Sequence, residues 1–245
     1  MSTNRRPGKP GMKQSGDIIL QHLAAVRAER AARSRDVDLA ECVWQVKSYQ
    51  RARFARTYAD LLATPRYASA ATFFLDDLYG PGDFAERDGQ FVRIVPGVVR
   101  LFPAEVISTV EALTALHALS ERLDSEMARQ LDHRTLTAAA YIDAWRKTGQ
   151  PASRQQQLDL MLAVGRALDV YTHRPLLRHS LRAMRVPARA AGLAALQAFL
   201  ERGFETFRDL QGATEFLAKI DVRERAMAAS LFGLSGAADA LGQLP

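Results

Sequence analysis

Cysteine occurs once in the 245 residues, at Cys42, so no internal disulfide can form and a reducing, cytoplasmic setting is expected. Cys42 lies close to Trp44 on an apolar side, which predicts a buried, inert thiol rather than a nucleophile. Lysine is nearly as scarce: only five of the 33 basic residues are Lys. The net charge of +6 and the isoelectric point of about 9.8 therefore come from arginine, spread through an Ala-rich chain. Such a bias is weak ground for nucleic-acid binding, and none is expected. No apolar run approaches the ~18 residues of a membrane span, so a soluble protein without a transmembrane segment is expected. The basic stretch holding Arg5, Arg6, Lys9 and Lys13 lacks the apolar centre of a signal peptide and reads as a flexible tail. A nucleophile elbow, a Walker P-loop, a G-x-G-x-x-G turn and an H-E-x-x-H pair are all missing, which removes the common motif-borne chemistries. Strand patterning is missing too. Residues 93–102 have the β-branched content for a strand, but Pro96 and Gly97 interrupt it.

What is present is helical periodicity. Apolar residues make up 48% of the chain and charged residues 24%, the balance of a globular protein with a real core. The fold class expected is all-α, a multi-helix orthogonal bundle of about eight or nine helices. Residues 1–15 form the tail, 16–149 an N-terminal helical half, 150–232 a C-terminal half packed on it, and 233–245 a frayed end. The boundary falls at Gly149-Gln150-Pro151, which stops one helix before Ser153 opens the next. Residues 17–35 form an amphipathic helix whose Arg27, Arg30 and Arg33 face solvent. The helix from about Asp36 to Ala63 carries an apolar stripe with Lys47 and Arg51 at its centre. After Pro103 a long helix runs to about Leu131, with Leu116, Leu123 and Met127 on its apolar side. Residues 158–168 crowd one side of a helix expected to be central. Pro187 is expected to open a helix from Ala188 to Arg202 that Gly203 closes.

The densest stretch is residues 73–103. Two helices meet there at Gly80-Pro81-Gly82, a corner flanked by Tyr79 and Asp83, with Asp83 as N-cap and Glu86 in capping-box position. Asp77 falls inside the apolar face that precedes the corner. Asp88 interrupts the stripe Phe84, Phe91, Val95 that follows it, and Arg87 lies on its flank. Pro96 is expected to end or kink that second helix. Buried and unpaired, either acid would cost several kcal/mol. The expected outcome is a buried polar cluster in which Lys47, Arg51 and Arg87 meet Asp77 and Asp88, beside Tyr79 and Asp83.

The run FFLDDLYGPGDFAERD, followed by Arg93 and Pro96, resembles the FFLxDLYGxxDFxxRD signature of an uncharacterised bacterial family of all-helical proteins. The later run VPARAAGLAALQAFLERGFETF is similar in style to that family's C-terminal half. The resemblance implies one helical unit beyond the first 30 residues or so, and carries no assigned activity.

Two weaker concentrations remain. His117 and Glu121 stand i, i+4, half of a metal site with no second Glu-x-x-His pair to complete it, so no metal is expected. His173, Arg174 and His179, near Pro175, are weak ligand candidates, for an anion or, with a histidine on the iron, for haem. No cofactor is expected otherwise. The first functional reading is a non-enzymatic, cytoplasmic helical protein acting through a protein partner or as a homodimer. The rivals are a ligand-binding or haem-type sensor domain using His117 or His173, and an enzyme with Asp77, Asp88 and Arg87 as an acid–base site.

Overall fold

Prolines and capping side chains set many of the helix boundaries in the computed structural model, which describes residues 10–78, 84–131 and 136–233 together with 242 and 244–245. The helices are α1 (Pro10–Arg33), α2 (Val37–Thr57), α3 (Ala59–Ala63), α4 (Pro65–Phe73), α5 (Ala85–Leu101), α6 (Ala104–Ala128), α7 (Ala138–Thr148), α8 (Pro151–Thr172), α9 (Pro175–Ala183), α10 (Arg185–Ala190), α11 (Ala194–Asp209) and α12 (Thr214–Leu231). No strand occurs among the described residues, so the fold is all-α. Asp36 opens α2 by accepting the Leu39 N–H at 3.0 Å, and Thr137 opens α7 by accepting that of Ala140 at 3.3 Å. Pro65, Pro151 and Pro175 stand in the first turns of α4, α8 and α9, where a missing N–H costs nothing.

The helices outnumber the eight or nine expected, for local reasons. The helix expected over 36–63 breaks at Tyr58, which caps α2 and starts α3. The helix expected over 188–202 divides at Gly192, whose φ of +66° ends α10. Gly203 does not close that helix but lies inside α11, where an added Cβ would stand 3.1 Å from Phe73 Cζ. Pro96 does not end α5, because Val95 and Val98 on either side of it are buried with Ile19 and Leu23 of α1. Residues 10–15, expected to belong to the tail, are helical in α1, and residues 1–9 lie outside the described residues. At the other end, Leu244 is buried among α2, α7 and α12, and Arg56 donates to its carbonyl, so the last residues pack where fraying was expected.

α6 is the axis of the bundle, packing on α1, α2, α7 and α8, while α8 carries α9, α11 and α12. One core joins both halves of the chain: Phe54, Tyr58 and Phe74 meet Leu162, Phe207 and Phe216. α4 passes without a break into a π-helical turn (Phe74–Leu78). Its wider winding lets Phe73, Phe74 and Leu75 all reach the interior, with Phe74 5.7 Å from the Phe216 ring. Gly80-Pro81-Gly82, Tyr79 and Asp83 lie outside the described residues.

Candidate functional site

Residues Thr114, His117, Glu121, Asp124 and Ser125 recur at helical spacing along α6 and form a polar ridge opposite its leucines. Three helices close over that ridge. α1 brings Arg30 and Arg33, α2 brings Lys47 and Gln50, and α5 brings Arg87 and Asp88. Asp88 is 5% exposed; its Oδ2 accepts from Arg30 Nη1 at 2.9 Å and from His117 Nε2 at 2.8 Å. The bond to Asp88 places the imidazole proton on Nε2. Burial alone would raise the Asp88 carboxyl, but His117, Arg30 and Arg87 outweigh it and hold it below the usual carboxylate range.

Glu121, 2% exposed, is the centre of the network. Lys47 Nζ stands 2.8 Å from Oε1 and Arg30 Nη2 3.3 Å from it, while Arg33 Nη1 donates to Oε2. Arg33 also donates to the Glu121 carbonyl at 2.7 Å and to Ser125 Oγ at 3.0 Å. Burial would push this carboxyl up as well, yet Lys47, Arg33 and Arg30 drive it far below its ordinary value. Asp124 is the exception. It meets Gln50 Nε2 at 3.3 Å and Lys47 only at 4.0 Å, so burial wins and its carboxyl is raised. The same helix thus holds two carboxylates one turn apart whose environments push them in opposite directions. Arg87 lies between the rings of Phe84 and Phe199, at 4.1 and 4.4 Å, with Nε 3.5 Å from Asp88, and burial lowers its pKa.

The expected cluster is therefore regrouped. Asp88, Arg87 and Lys47 join the network; Arg51 and Asp77 do not. Arg51 pairs with Asp76 near the surface at 2.7 Å. Asp77 pairs with Arg202 of α11, and Arg87 reaches only the Asp77 carbonyl, at 3.1 Å. Arg30, Arg33, Glu121, Asp124 and Arg202 are partners that the sequence reading missed. His117, a weak ligand candidate expected to form a surface or flank pair with Glu121, is the neighbour of Asp88. His173 is exposed, its Nδ1 on the Asp169 carbonyl at 2.7 Å; Arg174 stacks on Tyr171, and His179 is exposed. These three do not gather into a site. No group of metal-ligating side chains forms among the described residues. Beside Asp88 and His117 a cavity of about 60 Å³ opens, walled by Leu23, Phe91 and Phe199, room for about two waters.

A family model described as a domain of unknown function, DUF8198, matches residues 29–237. The chain belongs to the DUF8198 family. No curated protein and no solved structure matches it. The DUF8198 match takes in α2 through α12 and the end of α1 that carries Arg30 and Arg33, so the whole charge network falls within it. No helix of the chain is long and apolar enough to cross a membrane among the described residues.

Proposed function

We propose that this DUF8198 protein is a non-enzymatic, cytoplasmic helical protein that acts by docking the acidic face of a protein partner on α9 and α10. The observation that carries this reading is the makeup of that surface. Between Asp169 and Glu201 the chain has no acidic residue, while Arg174, Arg178, Arg182, Arg185 and Arg189 follow one another at helical spacing. α9 buries none of its residues, and Leu176 and Val186 are 80% and 77% exposed, next to half-exposed Met184. Large apolar side chains set among arginines make the composition of a recognition patch, where Arg is enriched. Arg182 and Arg185 lean back on Glu205 and Glu201 of α11, which fixes the patch to the bundle and leaves Arg174 and Arg189 outward. A second copy of the same face would repel it, so the partner is acidic and of a different kind. The interior network supports the same reading, because Glu121 and Asp88 are met by cations inside the protein.

Photo-crosslinking in cells tests the proposal. A benzoylphenylalanine at Leu176 or Val186 is expected to give one discrete adduct, lost in the Arg174→Glu, Arg189→Glu double variant. The same group at exposed Asp143 of α7 should give none. No adduct from α9 and α10, or one indifferent to charge reversal, would overturn it.

A further inference from the structure

A cavity of about 230 Å³, larger than the one beside Asp88, lies away from α9 and α10, between α2, α7, α8 and α12. Its lining is rich in donors, and three of them have no acceptor among the described residues. Arg154 is 7% exposed, yet it makes no ion pair among the described residues. Its Nη1 donates to Gln157 at 3.1 Å, its Nη2 reaches only the Met127 sulfur at 4.0 Å, and its face lies 4.0 Å from the Trp145 ring centre. Trp145 Nε1, Tyr141 Oη and Arg53 Nε are buried with no hydrogen-bond partner among the described residues. The one carboxylate on the wall among those residues, Glu224, is already engaged by Arg53 and by Tyr58 Oη at 2.7 Å. Buried donors without acceptors are rare in native proteins and need an explanation. The Arg154 guanidinium has partners, but they are a neutral amide, a thioether and a ring face, with no carboxylate in ion-pair contact among the described residues.

We propose that this cavity binds a small organic anion, a carboxylate carrying a compact apolar or aromatic body. The carboxylate gives Arg154 the ion pair it lacks and supplies acceptors to Tyr141 and Trp145, and the body packs on Phe54, Met161 and Phe232. The volume sets the size: 230 Å³ lies below the ~300 Å³ at which pockets for drug-sized ligands begin. Entry is past Gln155, exposed on the rim.

Trp145 is a built-in reporter. The only other tryptophan, Trp44, is 53% exposed, so Trp44→Phe isolates the signal. Benzoate, benzamide and inorganic phosphate are titrated into that protein while fluorescence and melting temperature are followed. Benzoate is expected to give a saturable fluorescence change and a higher melting temperature, and benzamide neither. Arg154→Met is expected to weaken benzoate about 100-fold or more, and Tyr141→Phe about tenfold. Without ligand, Arg154→Met should melt no lower than its parent, since it removes an unpaired buried charge. If Arg154→Met does not fold, Tyr141→Phe alone carries the test. Benzamide binding as well as benzoate, phosphate binding better than benzoate, unchanged affinity in both variants, or no saturable response to benzoate, as for a cavity filled by water alone, each overturns the proposal.

Discussion

Glu121 has three cations within 3.3 Å and almost no water, so its charge is held by the protein alone. Removing that charge leaves Lys47 and Arg33 buried without an equal partner. Glu121→Gln is therefore expected to cost roughly 3–5 kcal/mol in urea unfolding, the range for breaking a buried pair. Asp77→Asn is expected to cost no more than about 1 kcal/mol, because its partner Arg202 is 54% exposed. Equal losses for the two variants would contradict this ranking. In the sequence Asp77 and Asp88 look alike, each an acid inside an apolar stripe. Asp88 is buried in the regular helix α5, where Arg30 and His117 join Arg87 as its partners. Asp77 lies in the π-helical turn, which winds differently from 100° per residue, bringing Leu75 inward and turning Asp77 toward α11. Arg30 and Arg33 read as a solvated face because Glu121, the acceptor they share, lies 88–91 positions away, beyond any local pattern.

Helix α6 shows why periodicity finds elements better than it finds partners. Its leucines predicted a helix and one buried face, and both are there. Its polar face is buried as well, and a buried polar face has the same sequence pattern as a solvated one. Glycines carry a similar ambiguity between capping and close approach. Gly165 on α8 is a site of close approach: an added Cβ would lie 2.7 Å from Leu217 Cδ2, 3.3 Å from Cδ1 and 3.6 Å from Cγ. Rotating one methyl does not clear three atoms, and Leu217 is itself buried. Gly165→Ala is expected to destabilise by about 1 kcal/mol, as overpacking of 1–3 kcal/mol exceeds the ~1 kcal/mol helix-propensity gain. Gly89 on α5 is exposed and meets nothing within 4 Å. There the propensity term acts alone, and Gly89→Ala is expected to stabilise by about 0.5–1 kcal/mol. Thermal melts of the two variants should move in opposite directions; a common direction would refute the packing assigned to α8 and α12.

Charge held inside the bundle makes acid the weak side of the whole molecule. Glu121 and Asp88 have carboxyls lowered on folding, so the stability they contribute is complete above their unfolded values, about 4, and fades as pH falls toward the folded ones. At the surface Asp60, pushed down to about 2 by Arg223, has the same sign, as do Asp159 and Glu201. Asp124 opposes them: its carboxyl is raised by burial, so its ionisation weakens the fold as pH rises and that loss is recovered in acid. The lowered groups outnumber it, so the melting temperature is expected to fall steadily from pH 5 to pH 3. Salt separates the interior from the surface. At 1 M the screening length is about 3 Å, which removes most of the exposed Asp60–Arg223 attraction but little of that between buried Glu121 and its cations. Most of the acid loss should therefore persist in 1 M NaCl. Glu121→Gln should start less stable at neutral pH and lose less on acidification, because it has no carboxyl left to protonate, so the gap between its curve and that of the unaltered protein should narrow steadily from pH 5 to pH 3. Parallel curves would place the acid sensitivity outside the charged ridge of α6.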